Sequence, residues 1–499
     1  MMFVIRCANL KEIENKKQQA QEGLEQGTAL FVDEHMDEER GSSSLPKSQS
    51  SDAHHEAFAQ KAIDAIAAIG PGYKLPSYYK LRVNLLRDCK EECKLLIDLY
   101  RRSWTEIGCT LMADGWTDNK NRTLINFLVY SSRGVAFLKS MVVSDITKDA
   151  KTLCPLFCEV VEWVGPQNVV QLVTDNAANY KKAGELLHER FNNIYWSSCS
   201  AHCLNLILKD IGNMSHIQEL AKRASKVTIF VYNHVFILGW LRKRDGWKEI
   251  IKPGATRFAT TFITLRNIYD HKIYVQAFIT SKVFFDSKIS KIVKGKEVSS
   301  IILDNKFWND GLLASKLFGP LIQLLRIMGS DEKPSLGFLY DGMYRARKAI
   351  KGMFRNAKRM YKPYTTIIKT RWDSQLKLGI HCAAYFLNPH FQYDKENFCQ
   401  KPEVLQGLIE LIRNKDICPK SSAAMHEVRL FRDNLESFGK PIALSIAKEM
   451  QPDDDVLDDV ENDNEIIGND DIDAFGGECF DEQRFRDIIF DASNLEDDF

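Results

Sequence analysis

The chain has 499 residues, 44% of them hydrophobic and 27% charged, with 67 Lys/Arg exactly balanced by 67 Asp/Glu. These are proportions of a water-soluble globular protein, and the length predicts two or three domains. No apolar run reaches 18 residues and the apolar start around Met1–Cys7 is too short for a signal peptide, so neither a membrane span nor secretion is expected.

Twelve cysteines are scattered, and the closest pairs, Cys89/Cys93, Cys154/Cys158 and Cys199/Cys203, stand four apart. That spacing predicts helix neighbours, not a disulfide framework or a CxxC zinc site, and fits reduced thiols in a nuclear or cytosolic protein. The balanced charge hides a division. From Asp453 to Phe499 there are 19 acidic and 2 basic side chains, net −17, which leaves the preceding body with 65 basic and 48 acidic, net +17. A basic body suits a polyanion, and an acidic tail of this composition predicts disorder.

In chain order, 1–55 is polar and ends in a Ser-rich linker, so it is predicted disordered. Residues 56–107 form a helical lead-in. From about Tyr78 to Ile107, Leu81, Leu85, Leu86, Cys89, Cys93, Leu96 and Leu99 recur at helical spacing on one face. The period then changes. Strands are predicted at 110–113, 124–130 and 136–143, the last two joined by a hairpin turn at 131–135. A helix at 151–163 follows, ended by Gly165-Pro166. Next come a strand at 169–173, a helix at 178–191, a strand at 194–196 and a helix through Leu204, Ile207 and Leu208. This β-β-β-α-β-α-β-α order over 108–215 is that of an RNase H-like α/β fold with a mixed sheet. A mainly helical insertion region is expected over 216–370, a helical C-terminal part over 371–451, and the acidic tail over 452–499.

Two acidic segments stand at strand ends within this core, Asp114-Gly115-Trp116-Thr117-Asp118 and Thr174-Asp175-Asn176-Ala177. The fold order can bring Asp114 and Asp175 to one point, the layout of a divalent-metal site for phosphoryl chemistry. Each Asp also reads as a strand-end turn former, and Asp175-Asn176 as a helix N-cap sequence.

These blocks, with Gly70-Pro71-Gly72-Tyr73-Lys74-Leu75-Pro76, Cys199-Ser200-Ala201-His202-Cys203-Leu204-Asn205, Ala255-Thr256-Arg257-Phe258, Lys333-Pro334-Ser335-Leu336-Gly337 and Arg371-Trp372-Asp373, run in order over roughly 58–450. Together they resemble plant hAT-superfamily transposases, of the type whose central domain is one of unknown function. The resemblance implies cut-and-paste DNA transposition by an Asp-Asp-Glu triad holding two magnesium ions, with Asp114 and Asp175 as the first two ligands. It also implies a nuclear location. The sequence departs from the family where the third ligand is expected: the Ser-Ser-x-x-Glu-Arg block and paired tryptophans of the dimerisation segment are replaced by Gln451-Pro452 and the acidic tail. A look-alike at Ser421-Ser422 to Arg429 places Glu427 at a different spacing, upstream of the expected position, and Glu427 is not taken as the ligand. An N-terminal zinc finger, frequent in the family, is also missing.

The expectation is therefore a domesticated or truncated, catalytically inactive protein that associates with DNA or nuclear proteins. It requires no cofactor, with weak magnesium at Asp114 and Asp175 only if catalysis is retained, and it is not expected to form a homodimer or bind membranes. The alternatives are an active metal-dependent transposase or nuclease, and a product with no folded role.

Further candidates for DNA contact are Arg257 and Phe258, which stand where relatives have Arg-Trp; Phe258 equally suits a core helix start. Gly342 to Trp372 holds ten Lys/Arg and no Asp/Glu, among them Arg345, Arg347, Lys348, Lys351, Arg355, Lys358 and Arg359, interleaved with Tyr344, Phe354, Tyr361 and Tyr364. That pattern reads either as a phosphate-binding face or as a solvated one facing the tail. Cys199 and His202 are expected to be a structural pair at the start of the following helix.

Overall fold

The computed structural model describes residues 77–118, 120–144, 149–250, 259–330 and 334–450. The predicted N-terminal segment 1–55 and acidic tail 452–499 lie outside the described residues. The described residues divide into two compact units, one up to Arg102 and one from Ser103 onward.

In the first unit, a π-helical turn, Lys80–Leu85, runs into α1 (Leu86–Ile107). The predicted apolar stripe is present, but Leu85, Leu86 and Leu99 on it are exposed.

Near the start of the second unit Trp104 is fully buried, in the last turns of α1. Three strands follow, β1 (Cys109–Thr117), β2 (Thr123–Ser131) and β3 (Gly134–Val142). Ser131 pairs with Gly134, so Ser132 and Arg133 make a two-residue hairpin turn, and Gly134 takes the positive φ of +123°. Asp149 caps α2 (Ala150–Val164), its carboxylate accepting from the Thr152 N–H at 2.8 Å. At φ +101°, Gly165 ends the helix in a conformation that a side chain would strain. Then come β4 (Val169–Thr174), α3 (Ala178–Arg190), β5 (Tyr195–Ser198) and α4 (Ser200–Gly212).

The sheet order is β3-β2-β1-β4-β5, with β1–β2 and β2–β3 antiparallel and β1–β4 and β4–β5 parallel. This is the mixed five-stranded arrangement expected of an RNase H-like core. Alternation along β1 and β2 buries Leu111, Ala113, Ile125, Phe127 and Val129. Phe127 meets Phe157 of α2 edge-on at 6.1 Å, and Phe157 meets Tyr180 of α3 at 6.0 Å, so both helices cover this face. Burying each such aromatic contributes about 2–3 kcal/mol.

The remainder is helical, as the sequence predicts. It comprises α5 (Ser215–Asn233), α6 (Val235–Arg242), α7 (Ala259–Asp270), α8 (Lys272–Ile279), α9 (Lys282–Phe285), α10 (Val293–Leu303) and α11 (Asn305–Gly329). After these come α12 (Leu336–Met353), α13 (Lys358–Arg371), α14 (Gly379–Leu387), α15 (Pro389–Gln392), α16 (Pro402–Arg413), α17 (Ser421–Arg432) and α18 (Pro441–Glu449). By length and composition α11 could span a bilayer. Its Leu313, Ala314, Leu317, Phe318 and Leu321 are fully buried, however, and α7, α12 and α4 pack against it, which is the placement of a core helix. The helical region returns to the sheet twice. A π-helical turn at Trp372–Leu376 packs on β5, and the Asn414 amide donates to the Asn192 carbonyl at 2.9 Å and to the Tyr195 hydroxyl at 3.1 Å.

Candidate functional site

The parallel pairing of β1 with β4 sets Ala113 opposite Thr174. The next residue along each is an Asp, Asp114 still within β1 and Asp175 just past the end of β4, so the two occupy neighbouring backbone positions roughly 5 Å apart by strand spacing. Asp114 is exposed, while the Asp175 side chain is 26% exposed. Burial pushes the Asp175 carboxyl above its ordinary range. The His202 ring, with Nδ1 3.9 Å from Oδ1, pulls it down; the Asp114 charge pushes it up, and the Gly115 N–H donates to the carboxylate and lowers it.

Asp118, the second acid of the same segment, does something else. Its Oδ1 accepts from the Lys120 and Arg122 N–H groups at 2.9 and 2.8 Å, and its Oδ2 pairs with the Arg122 guanidinium. It is the turn former between β1 and β2, and these donors hold its carboxyl below the usual range.

Cys199 takes the N-cap position of α4 and makes no side-chain cap hydrogen bond. Burial raises its thiol pKa, against the lowering pull of the His202 and Ala201 N–H groups that face it. His202 turns outward to Asp175. The sequence reading missed Tyr180, in the first turn of α3: a Cβ on Gly115 would lie 2.4 Å from its hydroxyl oxygen. Burial and the two nearby aspartates push the Tyr180 phenol up to about 12, which keeps it a neutral donor beside them. Only the fold reveals why position 115 is Gly, because 65 residues separate the two partners.

Glu427 lies exposed on α17, which packs against α16. Among the described residues, no group of three or more His, Cys, Asp or Glu side chains is placed to hold a metal ion. Asp114 and Asp175 supply oxygen donors suited to one hard divalent ion. They do not make up the carboxylate set of a two-metal centre, and no reaction step through such a centre follows from them.

Arg257 and Phe258 lie outside the described residues. The basic stretch resolves into three groups. Arg345, Lys369 and Arg371 are ion-paired to Asp341, Asp373 and Asp210, and the Arg371–Asp210 pair is bidentate at 2.7 and 3.2 Å with both side chains under one-fifth exposed. The aromatics are structural: Phe354 and Tyr364 are buried and stacked at 5.7 Å, pinning the end of α12 to α13. Arg347 is half-buried. Lys351 lies over the Tyr361 ring at 5.8 Å, which bridges the two helices. The third group, Lys348, Arg355, Lys358, Arg359 and Lys362, is exposed at this corner, with no ion pair to any described carboxylate. Arg355 and Asn356 take positive φ values of 47° and 61° to turn the chain there.

No curated protein matches the chain. Residues 76–227, from the lead-in helix through the sheet and α4 into α5, match the family described as a domain of unknown function, DUF659, a domain found in hAT-type transposase-like proteins.

Proposed function

We propose that this chain is a nuclear protein derived from a plant hAT-superfamily transposase, which associates with DNA through the α12–α13 corner and does not cut it. The observation that carries the reading is the corner itself. Five exposed cations crowd the junction of two helices with no ion pair to a carboxylate among the described residues, a costly arrangement in isolation and a favourable one against a phosphate backbone. The match of residues 76–227 supports the transposase origin. The replacement of the expected Ser-Ser-x-x-Glu-Arg block by Gln451-Pro452 and the acidic segment supports loss of strand cleavage. DNA binding by a full-length variant with Glu461, Asp463, Glu465, Asp470, Asp471 and Asp473 changed to their amides, followed by anisotropy across a salt series, tests the reading on cations free of a competing acidic segment. Five phosphate contacts give a log–log slope of about −4.5. A slope near zero, or no binding at 50 mM salt, would count against a DNA role and leave protein interaction.

A second reading, a metal-dependent nuclease, is favoured by the Asp114–Asp175 pair alone. Nicking of supercoiled DNA with magnesium or manganese, abolished by Asp114→Ala, would establish it in place of the first.

A further inference from the structure

We propose that the acidic segment of this same chain, within 453–499, docks on the α12–α13 corner and competes there with DNA; the competition, though not the docking, rests on the DNA reading above. Lys348, Lys351, Arg355, Lys358, Arg359 and Lys362 gather where α12 ends and α13 begins, and Lys351 stands over Tyr361 between them. Like charges this close repel, and two of them, Lys358 and Arg359, sit in the first turn of α13, where the helix dipole is already positive. An anion relieves both penalties.

The path of the chain names the anion. At the far end, the described residues finish with α18, whose Ala447 carbonyl accepts from the His390 ring. That ring lies 5.9 Å from the Phe338 ring in the first turn of α12. The acidic segment therefore departs close to the start of α12, while the basic corner is at its other end. An 18-residue helix is about 27 Å long, a distance that some 8–9 extended residues cover. Beyond those residues the sequence places Glu461, Asp463, Glu465, Asp470, Asp471 and Asp473, with no Lys or Arg among them. Six carboxylates thus come within reach of six cations, and the covalent link gives them an effective concentration on the order of millimolar.

Carbodiimide cross-linking of the full chain, prepared as a mixture of ¹⁴N and ¹⁵N protein and read by mass spectrometry, tests the docking. The expected result is intrachain links from Lys348, Lys351, Lys358 or Lys362 to acids in 461–473 at 50 mM salt, lost at 500 mM. Links to other lysines in preference, or links only between ¹⁴N and ¹⁵N chains, would overturn it. The competition is tested on a full-length variant carrying Glu461→Gln, Asp463→Asn, Glu465→Gln, Asp470→Asn, Asp471→Asn and Asp473→Asn. Its DNA affinity at 100 mM salt should rise at least tenfold. Equal, measurable affinity in both proteins would overturn the competition. Intrachain links with no DNA binding by either protein would uphold the docking and defeat the DNA reading.

Discussion

The carboxylate pair and the basic corner are both clusters of like charge, but the backbone builds one and side chains build the other. Asp114 and Asp175 are forced together by the register of two parallel strands, and the partial burial of Asp175 makes its ionisation unfavourable. At the corner, long Lys and Arg stems reach into water, and the buried Phe354–Tyr364 stack beneath fixes only where the helices meet. The first cluster is therefore sensitive to backbone geometry and pH, the second to salt and counter-charge.

The largest expected effect breaks the corner. Reversing charge with Lys358→Glu, Arg359→Glu and Lys362→Glu should weaken DNA binding about 10²–10³-fold at 100 mM salt, and each single Lys→Ala change should reduce the salt slope by about 1. Helix content by circular dichroism should stay unchanged, because all three side chains are exposed.

Next in size is Arg371→Ala, which separates structure from binding within the same basic stretch. Loss of the part-buried pair with Asp210 should cost about 2–3 kcal/mol and lower Tm by several degrees. The salt slope of DNA binding should not change. A reduced slope would put Arg371 on the binding face after all.

At the strand ends, Gly115→Ala drives a methyl into the Tyr180 hydroxyl and should cost about 1–3 kcal/mol. Tyr180→Phe in the same chain should recover part of that loss, and thermal unfolding of the two single variants and the double variant reads the coupling.

The smallest effect concerns Asp175. Its folded pKa is raised, so the folded state holds the proton more tightly than the unfolded one. Stability then falls as pH rises from the ordinary carboxyl value near 3.8 through the raised one, and the penalty is complete above it. Asp175→Asn should accordingly stabilise the protein at pH 7, by less than about 1 kcal/mol for a partly exposed group, with the gain vanishing toward pH 4. Denaturant midpoints at pH 4 and pH 7 check the sign, and a loss at pH 7 would mean that the His202 and Gly115 contacts outweigh the burial of Asp175 together with the repulsion from Asp114.

Much of this architecture is legible along the chain because its causes are local. The apolar run of β2, the turn at Ser132-Arg133 and the Gly165 stop each act within a few residues. The two aspartates could be picked out because each directly follows an apolar run, although β1 continues past Asp114 to Thr117. The basic stretch was legible in composition but not in role. Phe354 and Tyr364, which look like a stacking surface when read with the cations around them, are core residues, and three of the ten cations neutralise carboxylates. Tyr180 carried no signal that tied it to Gly115.

By itself, then, the sequence determined the strands and helices, the division between basic body and acidic tail, and the identity of the two strand-end carboxylates. Periodicity, turn chemistry and formal charge depend on near neighbours alone. The tertiary structure decided that Asp114 meets Asp175, that His202 faces them, and that Arg371 is spent on Asp210 across a separation of 161 residues, leaving Lys358 and its neighbours open to solvent. Such choices depend on which distant surfaces pack together, and packing is a property of the whole core, not of any segment within it.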